Sequence, residues 1–81
     1  MMAQVSLLYF ASLREVAGRE TEAVESAASD LQSLYMEVQS RHGFQWSQAS
    51  LRVAVDGEFA HWTDPLLDGS EIAFIPPVSG G

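Results

Sequence analysis

The sequence predicts an α+β fold, with one main helix packed on one face of a mixed sheet of four to five strands. Three observations carry this. Only one stretch, residues 29–43, repeats apolar side chains at helical spacing over several turns, with Leu31, Leu34, Tyr35 and Val38 at i, i+3, i+4 and i+7. Short apolar runs bounded by Gly, Pro and Asp lie on both sides of it. The chain has 81 residues, 47% of them hydrophobic, which is one small domain with enough apolar surface for a core.

In order, residues 5–10 read as the first strand, with Val5, Leu7 and Tyr9 inward and Ser6, Leu8 and Phe10 on the outer face. Residues 11–17 have helical composition but span barely two turns before Gly18, which suggests a helical turn or structured loop. Residues 20–25 alternate weakly and are expected to return as a short second strand with Thr21, Ala23 and Val24 inward. Ser29 as N-cap with Gln32 at N3 makes a capping box for the helix, and Asp30 suits its positive end. Arg41, His42 and Gly43 supply its C-terminal signals, so that His42 reads as a cap and not as a catalyst.

Residues 44–50 lack a period and are expected to form a loop, with Trp46 tucked under the sheet edge. Leu51, Val53 and Val55 alternate inward, and Asp56-Gly57 is a strong two-residue hairpin signal. Residues 58–62 form the return, which brings Phe59 beside the preceding strand, and Trp62 reads as core. Asp64-Pro65 and Asp68-Gly69 are turns, and residues 71–75 are the last strand, with Ile72 and Phe74 inward and Ile75 outward. The order β-β-α-β-β-β, with first and last strands parallel at the centre and joined by a right-handed crossover, is a β-grasp arrangement. Leu8, Phe10, Phe59 and Ile75 then cluster on the face away from the helix, a patch that marks a partner interface unless residues 11–18 or 44–50 fold over it.

The chain closes on Pro76-Pro77-Val78-Ser79-Gly80-Gly81, so that residues 1–81 read as one domain with 76–81 as a projecting tail. The prolines favour an extended spacer. Two terminal glycines carry no Cβ and can thread a channel barely wider than the backbone. A carboxylate at their end is inert until activated, most simply to an acyl-adenylate that sulfur can displace. A frayed terminus is the plain alternative for an isolated Gly-Gly; the strand and rigid spacer ahead of it favour a working tail.

Composition excludes other chemistries. There is no cysteine, hence no thiol catalysis, thiolate metal site or disulfide. Two histidines without clustered carboxylates are too few for a metal site. A net charge of −7 argues against nucleic acid and suits a basic partner surface, with solubility as the plain alternative. All four cations are arginines (Arg14, Arg19, Arg41 and Arg52), so an activated tail would find no lysine on its own chain. Without a signal peptide, membrane span or nucleotide-binding motif, the expectation is a cytoplasmic protein that binds no cofactor itself and relies on a partner for ATP chemistry.

Phe10-Ala11-Ser12-Leu13-Arg14-Glu15 and residues 67–81, ending Phe74-Ile75-Pro76-Pro77-Val78-Ser79-Gly80-Gly81, resemble the small sulfur-carrier subunit family of molybdopterin synthase, ubiquitin-like β-grasp proteins. The resemblance covers nearly the whole chain, and Asp56-Gly57 and Ser70 depart from the family's usual residues without touching the tail. It implies that Gly81, next to Gly80, is adenylated by an E1-like (MoeB-like) enzyme and converted to a thiocarboxylate. The tail, Pro77, Val78 and Ser79 included, would then insert into the large (MoaE-like) subunit of a heterotetramer and place sulfur on cyclic pyranopterin monophosphate. It further implies that Phe10, Arg14, Phe59 and Ile75 contact that partner. Two other classes remain open from sequence: a sulfur carrier for thiamin thiazole, cysteine or tRNA thiolation, and a ubiquitin-like protein modifier.

Overall fold

The structure, a computed structural model, describes residues 2–77; Val78, Ser79, Gly80 and Gly81, on which the expected tail chemistry falls, lie outside the described residues. Five strands, β1 (Ala3–Tyr9), β2 (Thr21–Ser26), β3 (Arg52–Val55), β4 (Glu58–Ala60) and β5 (Glu71–Ile75), form one sheet in the order β2-β1-β5-β3-β4. β1 and β5 pair in parallel at its centre and the other pairings are antiparallel, as the β-grasp expectation requires. A long helix, α2 (Leu31–His42), packs on one face, and a short one, α1 (Ala11–Ala17), follows β1. Residues 11–17 are therefore a true two-turn helix, closed by Gly18 in the left-handed region.

The core lies between α2 and the inner face of the sheet. Leu7, Tyr9, Ile72 and Phe74 from the two central strands meet Leu31, Leu34, Tyr35 and Val38 from the helix, all nearly fully buried. Trp62 stacks on Phe74 at 6.0 Å and tilts against Tyr35 at 5.6 Å, so its reading as core holds. Phe44, inside the expected loop, is buried as well, stacked with Tyr35 and edge-on to Tyr9. Trp46 is half-buried, and its carbonyl accepts hydrogen bonds from the Tyr35 hydroxyl and, at 3.1 Å, from Gln39 Nε2.

Three local expectations are corrected. The cap of α2 is Asp30, not Ser29: its carboxylate accepts from the Ser33 backbone N–H at 2.9 Å. The Ser29 carbonyl instead accepts from Leu66 N, while Leu31 N and Gln32 N donate to the carbonyls of Asp64 and Trp62. The first turn is thus satisfied by the chain that returns from β4. At the other end Gly43, at φ +73°, closes the helix with its N–H on the Gln39 carbonyl.

The phase of β2 is the second correction. Val24 and Ser26 are buried and Thr21 and Ala23 are exposed. Directly opposed residues share a face, and β2 pairs Val24 with Val5 and Glu22 with Leu7, both inward on β1. The inner side of β2 is mostly polar because each polar group has a partner there. Ser26 Oγ donates to the Glu37 carboxylate of α2, and Glu22 Oε1 accepts from the Tyr9 hydroxyl at 2.7 Å.

The third correction follows. His42 is not a helix cap: its Nε2 lies 2.8 Å from Glu22 Oε1, its ring packs edge-on to Tyr9, and Arg41 adds a 3.6 Å ion pair to the same carboxylate. Burial alone would raise the Glu22 pKa, but the hydrogen bonds from Tyr9 and His42 and the nearby charges of His42 and Arg41 together lower it. Burial, followed by the bond to Glu22, pushes the Tyr9 phenol upward.

A carboxyl group with a lower pKa in the folded state binds fewer protons there than in the unfolded chain, so acid favours unfolding. Glu22 should therefore stabilise the fold above its usual value of 4.5 and lose that contribution as the pH falls through its lower folded value. Denaturant unfolding across acid pH should show a shallower loss of stability in Glu22→Gln than in the parent; equal slopes would mean the bonds do not favour the ionised form. In the core, Phe74→Ala should cost about 3–5 kcal/mol in the same measurement, and a loss under about 1 kcal/mol would show that α2 is not held by this ring.

Candidate functional site

The face of the sheet opposite α2 is set by strand alternation. Where Ile72 and Phe74 point to the core, Ala73 and Ile75 point away from it. Register then aligns one row of outward side chains across the whole sheet: Phe59 opposite Ala54, Ala54 opposite Ala73, Ala73 opposite Leu8, and Leu8 opposite Thr21. Large groups flank two alanines. Ala54 and Ala73 are only 7% and 8% exposed although they face away from the main core, whereas Phe59 is 70% exposed and Phe10 44%. The result is a hollow of about 200 Å³, floored by the alanines and walled by Leu8, Phe10, Phe59 and Ile75, with Gly57 and the acidic Glu71 at its hairpin end.

The hairpin that presents Phe59 is fixed by its turn. Asp56 and Gly57 both have positive φ, +51° and +88°, as a two-residue type I′ connection requires. Asp56 Oδ1 accepts from Glu71 N at 2.9 Å, while its own N–H donates to the Glu71 carbonyl at 2.8 Å. This ties the tip to the start of β5. Arg52, one row nearer the end of β5 and in register with Ile75, lays its guanidinium carbon 5.6 Å from the centre of the Phe59 ring.

A second hollow, a cleft of about 560 Å³, adjoins the first at Phe10 and Ile75, which line both, and is completed by Ala11, Trp46, Pro76 and Pro77. Pro76 is buried and Pro77 exposed. Ala11 sits in the left-handed region at φ +50°, a conformation that costs a non-glycine residue of order 1–3 kcal/mol. This bend lets Phe10 stay on the outer side while Leu13, three residues on, is fully buried.

Of the expected contact residues, Phe10, Phe59, Ile75 and Pro77 are thus brought onto one continuous surface, largely apolar, that runs from the sheet to Pro77. Arg14 is exposed on α1 and lines neither hollow. Residues 11–18 and 44–50 do not fold over the patch; Ala11 and Trp46 instead build the wall of the adjoining cleft. The sequence reading missed Ala54 and Ala73 as the floor and Arg52 as the neighbour of Phe59. The alternation of Arg52 and Ala54 with Val53 and Val55 was the available signal, but which residues stand opposite them depends on register. Among the described residues no three His, Asp or Glu side chains converge as metal ligands would, and no helix is long and apolar enough to cross a membrane.

Comparison with known proteins places this geometry. The sequence pattern of the ThiS family matches residues 7–81. The molybdopterin synthase sulfur carrier subunit of Escherichia coli (strain K12) is 34% identical over 95% of this chain and 99% of its own, and that of Homo sapiens is 36% identical over 99% and 97%. Among solved structures, a putative molybdopterin converting factor subunit 1 from Pyrococcus furiosus superposes with a TM-score of 0.78 at 28% identity, covering 94% of this chain and 99% of its own. A chain in the complex of subunits 1 and 2 of molybdopterin-converting factor from Helicobacter pylori matches at 28% identity and a TM-score of 0.64 over all of both chains. A ubiquitin from Caldiarchaeum subterraneum, at 13% identity and a TM-score of 0.67 over all of both chains, shares the fold. With its family pattern matched nearly end to end and relatives of equal length at 34–36% identity, this chain belongs to the ThiS family, as a relative of the molybdopterin synthase sulfur carrier subunits.

Proposed function

We propose that this chain is the sulfur carrier of a molybdopterin synthase, docking through its outer sheet face on the large subunit and delivering sulfur from Gly81. The observation that carries the reading is the apolar surface continuous from Phe59 through Ile75 to Pro77, four positions before Gly81 in the sequence. The likeness to a subunit 1 solved in complex with its subunit 2 supports a large-subunit partner. Covering Phe59 would contribute roughly 1.5–3 kcal/mol.

In this reading the Gly81 carboxylate attacks the α-phosphorus of ATP in an E1-like, MoeB-like partner, releasing pyrophosphate. Sulfur at the sulfide level, as hydrosulfide, then attacks the acyl carbon and expels AMP, leaving a thiocarboxylate. In the large subunit that sulfur passes to cyclic pyranopterin monophosphate while water attacks the Gly81 acyl carbon and breaks its bond to sulfur, so that Gly81 returns to a carboxylate. ATP is used by the activating partner, this chain binds no cofactor, and the synthase is a cytoplasmic heterotetramer. Pro76 is buried against the body, and four residues, when extended, can span about 13 Å.

The first experiment is the intact mass of the chain from its native host: a sulfur-for-oxygen exchange mapped to the C-terminal peptide is expected, and its absence after incubation with host extract, ATP and a sulfur source would overturn the carrier reading. Deleting Gly81 should abolish sulfur transfer with the circular dichroism spectrum unchanged; retained product formation would exclude the tail as donor. Phe59→Asp should weaken large-subunit binding by roughly 100-fold, by loss of apolar contact and burial of a charge. An unchanged dissociation constant would show that the partner docks elsewhere.

A further inference from the structure

Arg52 stands out against the rest of the outer face. The chain carries 11 acidic residues against 4 arginines, yet among the described residues Arg41 alone of the arginines forms an ion pair, with Glu22; Arg52, like Arg14 and Arg19, has none. Its fixed neighbour is an aromatic ring, with the guanidinium carbon 5.6 Å from the Phe59 centroid. A cation–π contact of this kind does not use up the N–H donors of the guanidinium, which stay available to a hydrogen-bond acceptor. Phe59 is itself the most exposed wall of the hollow.

A protein that covers Phe59 therefore also removes water from the guanidinium lying on it. Those donors, left unpaired, would cost more than the apolar contact gains. A planar carboxylate is the acceptor that matches them in charge and geometry. We propose that Arg52 is a specificity-determining residue of the docking face: seated on Phe59, it takes an Asp or Glu side chain of the partner protein whose apolar group fills the hollow over Ala54 and Ala73. The inference rests on the docking reading above and adds to it the chemistry of the partner surface. A net charge of −7 favours a broadly basic partner at long range; Arg52 demands one acid within that basic surface. The two requirements together fix the orientation of docking, since a partner rotated out of place would set a cation against Arg52.

The test measures the dissociation constant of the complex with the molybdopterin synthase large subunit for the full chain and for Arg52→Met, which keeps an unbranched side chain over Phe59 and drops charge and donors. Arg52→Met is expected to weaken binding by roughly tenfold or more, with an unchanged melting temperature for the free chain. Raising salt should narrow the gap between parent and variant, because it screens an ion pair and not an apolar contact. Binding within roughly twofold of the parent, or a gap that salt does not change, would overturn the carboxylate pairing. Phe59→Asp separates this from the underlying reading: if it weakens binding while Arg52→Met does not, only the role of Arg52 fails, and if neither variant weakens binding, the docking face itself is wrong.

Discussion

The simultaneous pairing of β5 with β1 on one side and β3 on the other is the constraint on which the rest of this domain depends. Strand geometry gives five residues two faces and no choice about which side chain goes where. Ile72 and Phe74 hold α2 to the sheet, and in doing so they turn Ala73 and Ile75 toward the other side. A one-residue slip would exchange the two sets, burying Ile75 and exposing Phe74. Core stability and the shape of the outer apolar surface are thus two readings of one register.

Size, more than polarity, shapes that surface. A row of uniformly large apolar residues on the open side of a sheet would be a flat, adhesive patch. Here the two alanines at the centre of the row recess it, and the flanking phenylalanine, leucine and isoleucine make walls. A shaped hollow selects for a complementary protrusion, where a flat apolar surface would accept many. The strained backbone at Ala11 serves the same surface from its other end, keeping Phe10 outside while the chain turns inward to bury Leu13.

The sequence was most legible where local pattern and tertiary role coincide. The helix face, the alternation of β5 and the Asp56-Gly57 turn each follow from a few neighbouring residues, and all three stand in the structure as read. It was least legible where a residue's role comes from a distant partner. Glu22 is tolerated on the inner side of β2 only because Tyr9 and His42 reach it from two other elements, so the sequence reading put Val24 inward correctly but turned Thr21 and Ala23 the wrong way. Asp30 wins the cap over Ser29 because the Ser29 carbonyl is occupied by Leu66. The outer patch was readable residue by residue from phase. Its concavity, which needs Ala54 and Ala73 side by side from strands 19 positions apart in register, was not.

The place of β5 also bears on how the domain is made. It is the last strand in sequence and the middle one in space, so a chain emerging from the ribosome holds only two separate hairpins, β1–β2 and β3–β4, until β5 arrives. Neither hairpin has a partner for its central edge before then. The recessed outer surface draws on both hairpins and on β5 itself, so it comes into existence only with the finished sheet. An enzyme or subunit that recognised the whole of this surface would in effect be inspecting the chain for the presence of β5.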